Sequence, residues 1–175
     1  VVPRGLAPLI RKRGFREIVE LDEDEETAVG GVTVRATHAD HAGGHVARPT
    51  SAPALGFAVL GSKRIYFAGD TDVFDAMDGL VPALDLALVP IWGWGRELGR
   101  GKHMDPVGAA KALALLRPRL AVPIHWGTYH PIYLGLRRPP GFLRLPAAAF
   151  RKAAAEHAPG VDVRVLDPGD ALELP

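Results

Sequence analysis

Short apolar segments alternate with glycine- and proline-rich turns along this chain, and their periods predict most of its elements. Leu6 to Arg13 has the make-up of a short helix stopped at Gly14. Glu17 to Leu21 alternates polar and apolar residues as a half-buried strand does. The acidic run Asp22 to Glu26, close to Gly30-Gly31, reads as a solvated hairpin loop rather than a cation site. Val32 to Thr37 is β-branched and alternating, hence a strand, and it delivers the chain into the histidine-bearing stretch His38 to His45. Leu55 to Leu60 and Arg64 to Ala68 form two strands around the turn Gly61-Ser62-Lys63.

Two continuous apolar runs, Asp85 to Pro90 and Leu120 to Ile124, suit strands buried on both faces. Between them lies a loop rich in glycine and tryptophan, Ile91 to Met104. A helix follows, opened by Asp105 as N-cap and Pro106 in the first turn, with Val107, Ala110, Leu113 and Leu116 as its apolar stripe. Pro139-Pro140-Gly141 marks a further loop. Pro146 to His157 predicts a terminal helix, and Val161 to Leu166 and Ala171 to Leu174 predict strands around the turn Asp167-Pro168-Gly169-Asp170. Alternating strands and helices without a solenoid repeat or a low-complexity linker make this an α/β chain, and residues 1–175 read as a single domain. Val1-Val2 before Pro3-Arg4-Gly5 resembles the end of a strand, so the expectation is a chain that starts mid-fold.

Composition narrows the chemistry. With no cysteine among 175 residues, disulfides, thiolate metal sites and thiol nucleophiles are excluded, so any metal must rest on His, Asp and Glu. A net charge of +1 supplies no bulk field for nucleic acid or anionic membrane. No apolar run reaches the ~18 residues of a membrane span, and the first residues lack the pattern of a secretory signal. A cytoplasmic protein without a membrane span is the default expectation.

Three places share one arrangement, in which an apolar strand ends and a metal-competent side chain stands just beyond it: His38 or His41, Asp70, and His125. Imidazoles and a carboxylate from separate strand ends are what a hydrolytic metal site requires, because such a site leaves one position open for a water whose pKa the ion lowers. Singly, each residue is as well explained as a surface or turn residue; their shared placement raises them. His38, His41 and His45 also have helical spacing, but Gly43-Gly44 and the preceding strand argue against a helix there. Asp70 sits at a tight turn, where Gly69 lets the backbone approach closely and Thr71 can hold the carboxylate by a hydrogen bond.

The phrases Ile65-Tyr66-Phe67-Ala68-Gly69-Asp70-Thr71, Asp85 to Ile91, His103-Met104-Asp105-Pro106 and Val122-Pro123-Ile124-His125-Trp126-Gly127-Thr128 resemble the metallo-β-lactamase superfamily of metal-dependent hydrolases. More narrowly, they resemble the branch that includes L-ascorbate-6-phosphate lactonase and N-acyl-phosphatidylethanolamine phospholipase D. The resemblance runs from about Val1 to Thr128. It implies an αββα four-layer sandwich, of which this chain looks like the C-terminal portion with the N-terminal part missing. By the same resemblance His41 is a ligand of a first metal, Asp70 bridges two metals, and His125 is a ligand of the second, with His38 the alternative to His41. His103 matches a histidine beside the site that contacts the substrate or leaving group, a catalytic role.

The family's His-x-His-x-Asp-His signature is absent from these residues. The implied activity is therefore that of a hydrolase of an ester, lactone or phosphoester bond, attacking with a metal-bound hydroxide at a dinuclear site that an N-terminal half completes. Two divalent ions are implied, zinc by default, with manganese or iron also compatible with His and carboxylate ligands. The expected partner is a small-molecule substrate. Arg96, Arg100 and Lys102 suit an anionic one if they are more than solvated loop residues. Trp92, Trp94 and Trp126 either wall an apolar pocket or pack in the core. The competing reading is a degenerate, non-catalytic domain of the same fold used for binding or oligomerisation. A nuclease is disfavoured by the near-neutral charge, and a homo-oligomer is left open.

Overall fold

The computed structural model describes residues 1–41, 52–92, 103–127 and 142–174. His45, Trp94, Arg96, Arg100, Lys102, Thr128 and the turn at Pro139-Pro140-Gly141 lie outside the described residues. Seven strands make one mixed sheet in chain order: β3 (Glu26–Val29), β4 (Val32–His38), β5 (Leu55–Leu60), β6 (Arg64–Phe67), β7 (Leu86–Pro90), β8 (Leu120–Ile124) and β9 (Asp162–Val163). Two short strands, β1 (Val2–Pro3) and β2 (Glu20–Leu21), pair in parallel beside it. Helix α1 (Ala7–Arg11) lies between them in sequence. Helices α2 (Pro106–Leu116) and α3 (Leu145–His157) pack together on one face of the sheet. No helix among the described residues is long and apolar enough to cross a membrane.

Strand direction decides where a site can form. β3 to β6 run antiparallel in succession, and β6 to β9 run parallel. β4 therefore points the same way as β6, β7 and β8, and the C-terminal ends of these four strands open on one edge of the sheet. Loops leaving that edge can vary without disturbing the core, the usual place for ligands in open α/β sheets.

The central strands are apolar throughout because both faces are covered. Ala87, Val89 and Ala121 face the helices, where they meet Leu113, Leu116 and Phe150 in the main core. Leu86, Leu120 and Val122 face the other way, onto Ile65, Leu88 and the tail residues Leu166, Leu172 and Leu174. Burying Leu113 and Phe150, both fully enclosed, contributes about 1.5–3 kcal/mol each. Helix α2 begins as its sequence predicts: Asp105 Oδ1 accepts from the Gly108 backbone N–H at 2.7 Å, and Pro106 fills the first turn. It ends at Arg117, just ahead of Pro118, which cannot continue a helix.

Four expectations are corrected. Glu26 opens strand β3 instead of closing a loop, and the residues up to Val29 pair with β4 through the two-residue turn Gly30-Gly31. That strand is mostly exposed, so it carries little apolar alternation to betray it. The strand expected over Glu17 to Leu21 shrinks to Glu20–Leu21, where Glu20 Oε1 accepts the backbone N–H groups of Gly5 and Ala7. These bonds, the one from Ala7 foremost, hold the Glu20 carboxyl below its ordinary pKa. The strand expected over Val161 to Leu166 is only Asp162–Val163. Ala171 to Leu174 forms no strand; its leucines pack on the sheet face instead of pairing along an edge.

Candidate metal centre

The shared edge gathers the histidines and the aspartate. β4 ends at His38, and three residues later His41 stands half-buried with its ring centroid 4.7 Å from that of His103. β6 ends at Phe67, and the turn at Gly69 presents Asp70. Gly69 has φ +66° and lies so close to β5 that a Cβ there would stand 2.8 Å from the Leu55 carbonyl oxygen, so only glycine fits this turn without strain. His103 lies two residues before the Asp105 cap of α2. β8 ends at Ile124, and His125 follows with φ +55°, a left-handed conformation that costs a non-glycine residue energy.

Asp70, His103 and His125 each offer a donor atom, and these atoms lie within 4.8 Å of one another. Bonds of about 2.0–2.2 Å place donors around one ion at most about 4.4 Å apart, so a spread of up to 4.8 Å is slightly wider than ligand spacing around one ion. His125 Nε2 contacts Asp70 Oδ1 at 3.5 Å. The rings of His103 and His125 stack at 5.6 Å between centroids. An all-imidazole and carboxylate donor set suits zinc, manganese or iron, and the residues present fit such an ion. Burial lowers the His103 pKa; the Asp70 charge works against that shift, and neighbouring His41 and His125 reinforce it. Its Nδ1 is buried without a hydrogen-bond partner, the state of a nitrogen that awaits one.

The alternative histidine, His38, faces elsewhere. Its Nδ1 lies 3.0 Å from Glu23 Oε2, and its ring meets Phe74 edge-on at 4.8 Å. Thr71 does not hold the Asp70 carboxylate, as its place in the sequence suggests. Its hydroxyl accepts the Asp40 N–H and donates to the Asp72 carbonyl, both at 2.8 Å. A cavity of about 600 Å³ opens beside the cluster, with Leu55, Phe67 and Ile124 next to His41, Asp70 and His125 in its wall. Trp126 packs on the main core and donates its indole N–H to the Pro123 carbonyl at 3.1 Å. Neither it nor half-buried Trp92 lines that cavity.

The family resemblance places His103 beside the site; the geometry brings its donor atom within 4.8 Å of those of Asp70 and His125. The signal available was its position just ahead of a capped helix start. The backbone strain at His125 had no sequence signal beyond the nearby Gly127.

Comparison with known proteins adds to this geometry. A family model described as "Beta-lactamase superfamily domain" matches residues 1–126. A "UPF0173 metal-dependent hydrolase" of Thermus thermophilus is 42% identical over 118 residues, which are 66% of this chain and 43% of that protein. The chain spans less than half the length of the curated relatives it matches. Among solved structures, a metallo hydrolase of the archaeon Ignicoccus hospitalis superposes with a TM-score of 0.67 at 26% identity, over 97% of this chain and 65% of that one. A diiron β-hydroxylase of Streptomyces venezuelae shares the fold alone, with a TM-score of 0.64 at 15% identity over 93% of this chain and 35% of that one.

Proposed function

The chain belongs to the β-lactamase superfamily, and on that premise we propose that it carries one side of the dinuclear metal centre of a hydrolase. The observation that supports this reading is the convergence of His41, Asp70, His103 and His125 from four chain segments on one sheet edge. Likeness to proteins named metal-dependent hydrolases supports it further. In this reading residues 1–175 are one domain, the later portion of the αββα sandwich, and the remaining ligands come from a preceding half of the whole protein.

Two divalent ions, zinc by default, would supply Lewis acidity and an activated water. Asp70 would be the carboxylate that the two ions share, with His41 holding one and His125 the other. His103, next to both histidines, would contact the leaving group, taking up the proton that the activated water releases and passing it on to the leaving group. The apolar wall of Leu55, Phe67 and Ile124 receives the non-reacting part of a small substrate and keeps bulk water from the reacting bond. An ester, lactone or phosphoester is the bond cleaved, as in the branch of the lactonase and the phospholipase D. A cytoplasmic location is part of the same proposal.

The test is hydrolysis by the natural product that carries these residues, against model esters, lactones and phosphoesters, before and after chelation. Turnover that disappears with chelation, returns with zinc or manganese, and is lost in Asp70→Ala supports the reading. Absence of any metal-dependent turnover, with metal content unchanged in Asp70→Ala, would favour the degenerate binding domain instead.

A further inference from the structure

We propose that Thr71 is a positioning residue that ties three of the four segments bearing the site residues into one unit. Thr71 is fully buried, one of two buried polar residues among those described. Its hydroxyl accepts the Asp40 N–H at 2.8 Å and donates to the Asp72 carbonyl at 2.8 Å. Its own carbonyl accepts the Met104 N–H at 3.0 Å. The Asp72 N–H closes the knot by donating to the Asp40 carbonyl at 2.8 Å, which makes an isolated antiparallel bridge between those two residues.

What gives this knot its meaning is where the bonds fall. Asp40 directly precedes His41, Thr71 directly follows Asp70, and Met104 directly follows His103. Asp40, Thr71 and Met104 are thus each the chain neighbour of a candidate site residue. One peptide away from a rigid bond, a side chain can shift little, so the spacing of His41, Asp70 and His103 is set by the bonds of one residue. A valine in its place has nearly the same shape but no hydroxyl, and removes the acceptor of the part-buried Asp40 N–H bond.

The first measurement needs no metal. Amide hydrogen exchange on the full chain compares wild type with Thr71→Val and Thr71→Ser. Loss of the hydroxyl should speed exchange at Asp40, Asp72 and Met104 together, by roughly tenfold, and serine, which keeps the hydroxyl, should restore protection. Thr71→Ala repeats the comparison if the valine variant does not fold. Faster exchange at Asp40 alone, or a serine variant no better than valine, overturns the proposal.

The second measurement rests on the metal reading above. Cobalt titration followed by visible absorption should show affinity falling by about 10–100-fold in Thr71→Val, with altered bands, and both returning in Thr71→Ser. Wild-type affinity and bands in the valine variant overturn the positioning role. A wild-type protein that takes up no cobalt refutes the metal reading, and the exchange result then decides Thr71 by itself.

Discussion

Replacing Gly69 by alanine tests how tightly the turn before Asp70 is built. Two costs arise. The residue sits at φ +66°, and left-handed backbone costs an L-residue about 1–2 kcal/mol. The new Cβ would also stand 2.8 Å from the Leu55 carbonyl oxygen. That oxygen belongs to β5, whose Leu55 pairs with His38 of β4, so it cannot retreat without disturbing the sheet. Overpacking of this kind costs about 1–3 kcal/mol.

Gly79 provides the control, since it has φ +72° with nothing within 4 Å of an added Cβ. Gly79→Ala carries the backbone strain without the clash, and the unfolded-state gain of a Gly→Ala change, about 0.4–1 kcal/mol, cancels between the two variants. Thermal and urea unfolding should therefore place Gly69→Ala below Gly79→Ala by about 1–3 kcal/mol. For a chain of this length that is a gap in Tm of about 2–12 °C. Equal stability of the two variants would refute the close approach of the Asp70 turn to β5.

Three further outcomes are expected. Asp105→Ala removes the bond that caps α2 and should cost about 1 kcal/mol, a fall of about 2–4 °C in Tm, while Asp105→Ser keeps most of the stability. Tyr66 is fully enclosed, and burial pushes its phenol up to about 12, with Thr37 pulling slightly the other way. The unfolded chain loses that proton near 10.0, so stability should fall as pH rises from about 10 through about 12, by up to about 2–3 kcal/mol, and Tyr66→Phe should flatten that alkaline limb. In cobalt titrations His41→Ala should weaken metal uptake, whereas His38→Ala, whose ring is engaged with Glu23 and Phe74, should leave it unchanged.

The parts of the fold that were legible in sequence are those where one period dominates. β7 and β8 are continuous apolar runs because helices cover one face and leucines the other. The cap of α2 is written in Asp105 and Pro106. β3 and the Leu172–Leu174 tail were misread for opposite reasons: β3 is held by backbone pairing while its side chains stay exposed, and the tail has strand-like apolar residues that pack without pairing. In the site, Asp70 and His125 were legible as polar residues at the ends of apolar strands. Choosing between His38 and His41 was not, because both follow β4 and only the surroundings, Glu23 for one and His103 for the other, tell them apart. The role of Thr71 was hidden for the same reason: its bonds to Asp40 and Met104 join residues about thirty positions apart.

Elemental analysis of the natural product that carries these residues, wild type beside Asp70→Ala, tests the central claim most directly. A dinuclear centre bridged by Asp70 predicts about two metal ions per wild-type chain and about one or fewer in the variant. A wild-type product that stays metal-free, or a variant that keeps the full complement, would contradict the account.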